Sequence, residues 1–404
     1  MSTASSRERL DAALARIDDP QGEGTRVCLT VYRKQAQAAA DAADARARAG
    51  ISLGPLDGVI VSIKDLFDVA GEVTRAGSKV VAEEGKPAVS DAPVVRRLRA
   101  GGAIIVAKTN MTEFAFSGVG MNPHYGTPGN PADRKRIPGG SSSGAAVATA
   151  DRMCDIAIGS DTGGSVRIPA AFCGIVGFKP SRQRVPTAGV YPLSQSMDSI
   201  GPFARSVEEC AKADAVMAGD DFAPLRPAPL AALRIGVAQG MPLDKLDGAV
   251  ARSFPAALAR LDKAGARLTD LPLPLIDRMV EVNSRGGVQP AEAFTVNREW
   301  LDRRGDGLDQ NVRARLERAR AISAADYIAM INERAKLIAA MDAHLADIDV
   351  LVTPTTPIVA PTMEEMTPPD DFARKNAMLL RNTAIWNFFD CCGISLPLPR
   401  EGGL

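Results

Sequence analysis

The chain has 404 residues, 46% of them hydrophobic and 24% charged, with 48 Lys and Arg balancing 48 Asp and Glu. This composition supports a sizeable buried core and excludes an intrinsically disordered chain, and a formal net charge of zero argues against a general nucleic-acid or anionic-membrane surface. Six cysteines show no C-x-x-C pair and no metal-ligand spacing with the two histidines, so they are expected to be reduced thiols of a cytoplasmic protein. The start, MSTASSRERL, lacks the apolar stretch of a secretory signal, and no apolar run approaches the ~18 residues of a membrane span.

In chain order, the first 50 residues read as helical. RERLDAALARI and RKQAQAAADAADARARAG are Ala- and Arg-rich with helical spacing, and Gly50 is placed to stop the second. GVIVSIKD (58–65) then reads as a buried strand. SDAPVVRRLRAGG (90–102) reads as a helix capped by Ser90 or Asp91, and AIIVAK (103–108) as the next strand. CDIAIGSD (154–161) and GIVGFKPS (174–181) continue the strand pattern. Residues 220–345 are helix-rich: LDGAVARSFPAALARLDKAGA, QNVRARLERARAI and SAADYIAMINERAKLIAAMDAHLA, the last capped by Ser323, with RIGVAQG (234–240) as one interrupting strand. DVLVTPTTP (349–357) and GISLPLP (393–399) return to strand. The ending, GISLPLPREGGL, stops just past a strand, which predicts a sheet edge without its expected partner and a chain truncated at its C-terminus.

Strands alternating with helices predict the α/β class. The expected architecture is a single large domain, 1–404, with a mixed, largely parallel central sheet covered by helices. Within it, 1–50 would be N-terminal helices, 51–210 the core that carries the chemistry, 220–345 a helical subregion, and 346–404 a return to the sheet.

Three features can carry chemistry. VSIKD puts Lys64 at the end of a buried strand, PGGSSSG puts Ser141 to Ser143 ahead of an Ala-rich helix, and GSDTGGSVRIPAAFCG puts Ser165 behind a Thr-Gly-Gly turn. Each has a plainer reading alone: a lysine emerging into water, a flexible turn, a tight loop. Neither glycine cluster ends in GK[ST] and no GxGxxG follows a strand, so a phosphate-binding loop is not supported.

Taken together the three are much more specific. GGSSSG is followed, 24 residues after Ser141, by the serine of DTGGSVRIPAAFCGIVGFKPS, with GPLDGVIVSIKD upstream. This resembles the amidase signature family, built on a Ser–cis-Ser–Lys triad. The resemblance extends to AKTNMTEFAFSG (107–118), SMDSIGPFARS (196–206) and DVLVTPTTP; it is strong over roughly residues 50–210 and looser elsewhere. It implies Ser165 as nucleophile, Ser141 as bridging serine after a cis peptide at Gly140–Ser141, and Lys64 as terminal base. It also implies that backbone N–H groups of Thr162, Gly163, Gly164 and Ser165 face the substrate oxygen. Asp161, Arg167 and Ser142 would support that loop from behind. Phe116 and Ser117 are candidate pocket residues. The segment Trp386–Phe389 is read equally well as core, and Arg381 as a partner for a substrate carboxylate or as solvated.

Lysine in place of histidine explains the scarcity of imidazole. His344 reads as a surface histidine and His124 as a loop residue able to position a ligand. An ordinary lysine, with a pKa of about 10.4, is neutral in roughly one molecule in 2,500 at pH 7. Burial lowers the value by up to ~3–5 units, and Lys64 on an interior strand has that opportunity, provided Asp65 points to the opposite face.

The expected function is therefore an amidohydrolase cleaving the carboxamide C–N bond of a small molecule through an acyl-enzyme, releasing ammonia or an amine. It needs no cofactor, metal, nucleic acid or membrane, and a homodimer is compatible with it. Two alternatives stand beside it. One is the glutamine-hydrolysing A-type component of a tRNA-dependent amidotransferase, against which Leu380 and Arg381 stand near the place where that branch carries an acid. The other is a non-catalytic binding protein on the same scaffold.

Overall fold

The computed structural model describes residues 4–398. The chain begins with α1 (Ser6–Asp18), the single turn α2 (Gly24–Val27), β1 (Cys28–Val31) and α3 (Arg33–Arg48). Ser5 closes a capping box with Glu8 at the start of α1. Next come β2 (Ile60–Lys64), α4 (Lys79–Glu84), α5 (Pro93–Ala100), β3 (Ile104–Thr109), α6 (Ser143–Ala150), β4 (Ile156–Asp161), α7 (Arg167–Cys173), β5 (Val176–Lys179), β6 (Ser199–Ala204) and α8 (Val207–Ala218). The second half holds β7 (Arg234–Ala238), α9 (Gly248–Lys263), β8 (Arg267–Leu271), α10 (Leu275–Asn283), α11 (Val288–Arg304), α12 (Gln310–Ala319), α13 (Ala324–His344), β9 (Val350–Val352), α14 (Pro369–Phe388) and β10 (Gly393–Ser395).

The central sheet has the order β1-β3-β2-β4-β6-β5-β10. It is mixed: β3, β2 and β4 form a contiguous parallel group, while β1, β6 and β10 run against their neighbours. A smaller sheet, β8-β7-β9, is parallel throughout. The strands β2, β3 and β4 are buried at every position, as expected for strands covered on both faces. Their side chains alternate between two cores. Ile60, Ile104, Val106 and Ala157 pack with Leu10 and Leu14 of α1 and Ala145 to Ala148 of α6. Val61, Ile63, Ile105 and Ile158 pack on the other face with Val94 and Leu98 of α5, Leu301 of α11 and Leu316 of α12. Lys64 shares the parity of Ile60, which turns it toward the α6 face.

The structure corrects the sequence reading in four places. Strand β1 interrupts the region expected to be helical; it is only four residues long and half-buried, too short for periodicity to register. Strand β8 is a second strand in the region read as helix-rich with one interrupting strand; its sequence RLTDL is largely exposed and carries no strand pattern. Strand β6, SIGPFA, carries a proline and was not expected to be a strand. Helix α5 begins at Pro93, with Ala92 as its cap residue and no side-chain cap. Proline's fixed φ suits the first helical position, and Asp91 instead accepts the Ala70 N–H at 2.9 Å and pairs with Arg99. Ser323 does cap α13, accepting the Asp326 N–H at 3.0 Å. Residues 399–404, part of the expected final strand and tail, lie outside the described residues. No helix among the described residues is long and apolar enough to cross a membrane.

The sheet is tight where β6 meets β5. A Cβ added at Gly201 would lie 2.0 Å from the Phe178 carbonyl oxygen, a backbone atom of the neighbouring strand that cannot yield without moving the ladder. Gly201→Ala is expected to lower the unfolding free energy by about 1–3 kcal/mol, measured as a lower midpoint in urea with an unchanged slope.

Candidate active site

Lys64 is fully buried. Its Nζ lies 2.7 Å from Ser141 Oγ and 2.9 Å from Ser160 Oγ. Burial is the chief reason its pKa falls to about 7; the negative charges of Asp198 and Asp161 oppose the shift. A neutral amine so placed can donate an N–H to one hydroxyl and accept an O–H from the other. Asp65 is turned away from it, accepting from Arg75 Nε and the Gly77 N–H, both at 3.2 Å.

Ser141 follows a cis peptide bond at Gly140–Ser141. The segment is held on both sides: the Gly140 N–H donates to Gly118 O at 2.8 Å, and the Thr112 N–H donates to Ser141 O at 3.0 Å. Ser142 occupies the cap position of α6, and its Oγ donates to Ser160 O at 3.3 Å. It thereby ties the serine segment to the strand that carries Ser160.

The turn between β4 and α7 is organised around Asp161. Its carboxylate accepts the N–H groups of Gly164 at 2.9 Å, Val166 at 3.1 Å and Arg167 at 3.3 Å, and two guanidinium N–H groups of Arg167 at 2.9 and 3.0 Å. Asn387 Nδ2 adds a bond at 2.8 Å. Burial alone would raise the Asp161 carboxyl, but Arg167, with help from Lys179 and Asn387, holds it well below the usual carboxylate range. Thr383 Oγ1 donates to Gly163 O at 2.7 Å. Gly164 sits at φ +131°, and a Cβ there would lie 2.1 Å from Thr383 Oγ1, so glycine is required for both conformation and space. Thr162 Oγ1 donates to Asp198 at 2.5 Å, and burial raises Asp198 to about 6.

With the Gly164 N–H committed to Asp161, the N–H groups of Thr162, Gly163 and Ser165 have no protein acceptor among the described residues. Ser165 is 3% exposed. Lys64 and Ser141 are in direct contact, whereas no hydrogen bond joins Ser165 to Ser141 among the described residues.

Other expected site residues divide. Phe116 walls a cavity of about 310 Å³, but Ser117 is a support: its Oγ donates to Asn376 Oδ1 and accepts the Val119 N–H, both at 3.1 Å. His124 is bonded to the buried Glu113 at 3.1 Å. That bond raises its pKa against the effect of burial. His344 contacts Pro272 O. Trp386, Phe388 and Phe389 pack in the core with α10 and α13. Arg381 contacts Asn382 Oδ1 and Pro242 O. A larger cavity of about 490 Å³, lined by Tyr32, Glu72 and Arg99, lies beside α3 and contains none of these groups. No group of three or more metal-ligating side chains occurs among the described residues.

Sequence reasoning missed Ser160, Asp198, Thr383 and Asn387. Ser160 stands next to Asp161 in GSD, and Asp198 lies within the quoted SMDSIGP, so both were within the motifs but without a role. Thr383 and Asn387 share one face of α14 at helical i, i+4 spacing, yet only the tertiary fold brings them to a loop more than 200 residues earlier.

Comparison with known proteins identifies the family and the fold. The amidase family model matches residues 8–403, and the chain belongs to that family. It is 37% identical to a 2-amino-5-chloromuconic acid deaminase from Comamonas testosteroni, covering 90% of this chain and 79% of that protein. It is 36% identical to the A-type component of a glutamyl-tRNA(Gln) amidotransferase from Anaeromyxobacter sp. (strain K), covering 90% and 80%. Among solved structures, an amidase superposes with a TM-score of 0.88 at 32% identity, covering 99% of this chain and 90% of that one. A 6-aminohexanoate cyclic dimer hydrolase with bound substrate superposes at 0.82 and 26% identity, covering 99% and 88%.

Removing one member of the Asp161–Arg167 pair leaves the other buried without its counter-charge. Asp161→Asn is expected to cost about 3–5 kcal/mol of stability, read as a lowered urea midpoint.

Proposed function

We propose that this amide-hydrolysing enzyme of the amidase family works through Ser165 as nucleophile, Ser141 as relay and Lys64 as base. The observation that carries the reading is the buried Lys64 amine, 2.7 Å from Ser141 Oγ and with a pKa lowered to about 7. Such an amine is substantially neutral at physiological pH, which an exposed lysine is not.

Ser165 Oγ attacks the carbonyl carbon of a small carboxamide. Its proton passes to Ser141, and the Ser141 proton passes to Lys64 Nζ, while the carbonyl oxygen takes the negative charge. The N–H groups of Thr162, Gly163 and Ser165 are available to that oxygen. Gly164 serves by its backbone conformation, its own N–H being held by Asp161. Collapse of the tetrahedral intermediate breaks the C–N bond. The proton returns from Lys64 through Ser141 to the departing amine, leaving an ester on Ser165, and water hydrolyses that ester by the same relay in reverse. The Ser165–Ser141 contact is the one expected to tighten on substrate binding, as catalytic hydrogen bonds do. The free thiols fit a cytoplasmic setting, and the scheme is compatible with a homodimer.

A second reading, glutamine hydrolysis as the A-type component of an amidotransferase, has the 36% identity noted above in its favour. Against it, Leu380 lies 3.4 Å from a Cβ built on Gly163, placing an apolar residue over the loop. Glutaminase activity rising sharply with tRNA and a partner protein would select it.

Two outcomes are expected. Ser165→Ala abolishes ammonia release from carboxamides and covalent labelling by a fluorophosphonate. An unlabelled but folded wild type would favour a binding protein on this scaffold. In the wild type kcat/KM falls about tenfold per pH unit below pH about 7, because protonated Lys64 has no lone pair to accept the relay proton. A pH-independent rate between pH 5 and 8 would overturn lysine as base.

A further inference from the structure

The cavity of about 310 Å³ is lined by Phe116, Gly286, Pro290, Arg315, Arg318, Ala319 and Ile322. Its two cations lack counter-ions. On the same helix Arg313 pairs with Asp306, and the following Arg320 pairs with Asp302 and Glu317. Neither Arg315 nor Arg318 forms an ion pair among the described residues. The Arg315 guanidinium lies 3.9 Å from the Phe116 ring centroid and donates one N–H to Phe116 O, so it is held in place with further N–H donors of its fork unused. Burial, then the neighbouring Arg318, lowers its pKa to about 10. Two adjacent guanidinium groups, one partly buried and neither balanced by an acid, form a site that an anion stabilises.

Through the chain, the lining residues connect to the catalytic segments at two points. Phe116 is two residues from Gly118, whose carbonyl holds the Gly140 N–H ahead of Ser141. Pro290 follows Gln289, whose amide lies 3.8 Å from a Cβ built on Gly163.

We propose that Arg315 and Arg318 bind a free carboxylate on the substrate, so that the preferred substrates are small amides carrying a carboxylate at the end remote from the scissile carbonyl. This rests on the reading of Ser165 as nucleophile. Arg315, with its planar fork fixed against Phe116, supplies geometry; Arg318 supplies a second charge at the mouth.

Ammonia release from succinamate against butanamide, and from glutaramate against pentanamide, tests the proposal. The wild type is expected to favour the carboxylated member of each pair by about tenfold or more in kcat/KM, and Arg318→Gln to reduce that ratio about tenfold. Arg315→Lys, which keeps the charge and loses the fork, is expected to reduce it as well. Equal rates within each pair, or a ratio unchanged in Arg318→Gln, overturn the proposal. A second arm needs no turnover: calorimetric titration of Ser165→Ala with succinate and glutarate. Saturable binding lost in the Ser165→Ala, Arg318→Gln double variant supports the anion site, and its absence overturns it. If no amide of either kind is hydrolysed while these acids still bind, the hydrolase reading fails and the anion site stands.

Discussion

The fold holds a lysine amine out of water between two serine hydroxyls, and the rest of the active site depends on that placement. A buried ammonium is unfavourable unless paired. Here the nearest partners are neutral, Ser141 and Ser160, while the acids that influence it, Asp198 and Asp161, are engaged elsewhere with Thr162, Arg167 and backbone N–H groups. Their charge moderates the loss of a proton without forming an ion pair. A direct carboxylate contact would restore the ammonium and remove the lone pair that the proposed relay needs. The separation of Lys64 from every carboxylate is therefore as important as its proximity to Ser141.

Asp161 solves a different problem. A turn whose N–H groups are to meet a substrate oxygen must leave some of them without protein partners, and unpaired buried amides are costly. One carboxylate gathers the N–H groups of Gly164, Val166 and Arg167, leaving those of Thr162, Gly163 and Ser165 without a protein acceptor among the described residues. Arg167 keeps that carboxylate ionised, and Asn387 keeps both in register. The charged centre of the turn is satisfied, which fixes its conformation, while its remaining N–H groups are left for the substrate oxygen of the proposed mechanism.

How much of this could be read in the sequence follows from the range of each interaction. Strands β2, β3 and β4 were legible because burial on both faces leaves unbroken apolar runs. Lys64, Ser141 and Ser165 stood out through a resemblance carried by three short motifs. The edge strand β1 and the polar strand β8 have neither long runs nor alternation, and only pairing with a neighbour makes them strands. Thr383 and Asn387 are ordinary helix residues until α14 is laid against the Asp161 turn. The Gly164 N–H illustrates a finer limit: the motif puts it in the right loop, while only the carboxylate behind it shows which way it points.

The two halves of the chain have divided tasks. Lys64, Ser160 and Ser165 come from β2, β4 and the turn that follows β4, where sheet register sets their spacing, and Ser141 comes from the segment just ahead of α6. The second half reaches this centre by two routes. Helix α14 holds the turn from behind, through Thr383 and Asn387, and lays Leu380 over Gly163. Substitution along it therefore disturbs the turn and the pocket together. The segment just before and within α11, together with α12, meets the site through Gln289 and the Arg315–Phe116 stack, and makes no hydrogen bond to the Asp161 turn among the described residues. Side chains there can change without moving the N–H groups proposed to meet the substrate oxygen. On physical grounds this is where one reaction can acquire different substrates, and it is where the chain places two arginines that form no ion pair among the described residues.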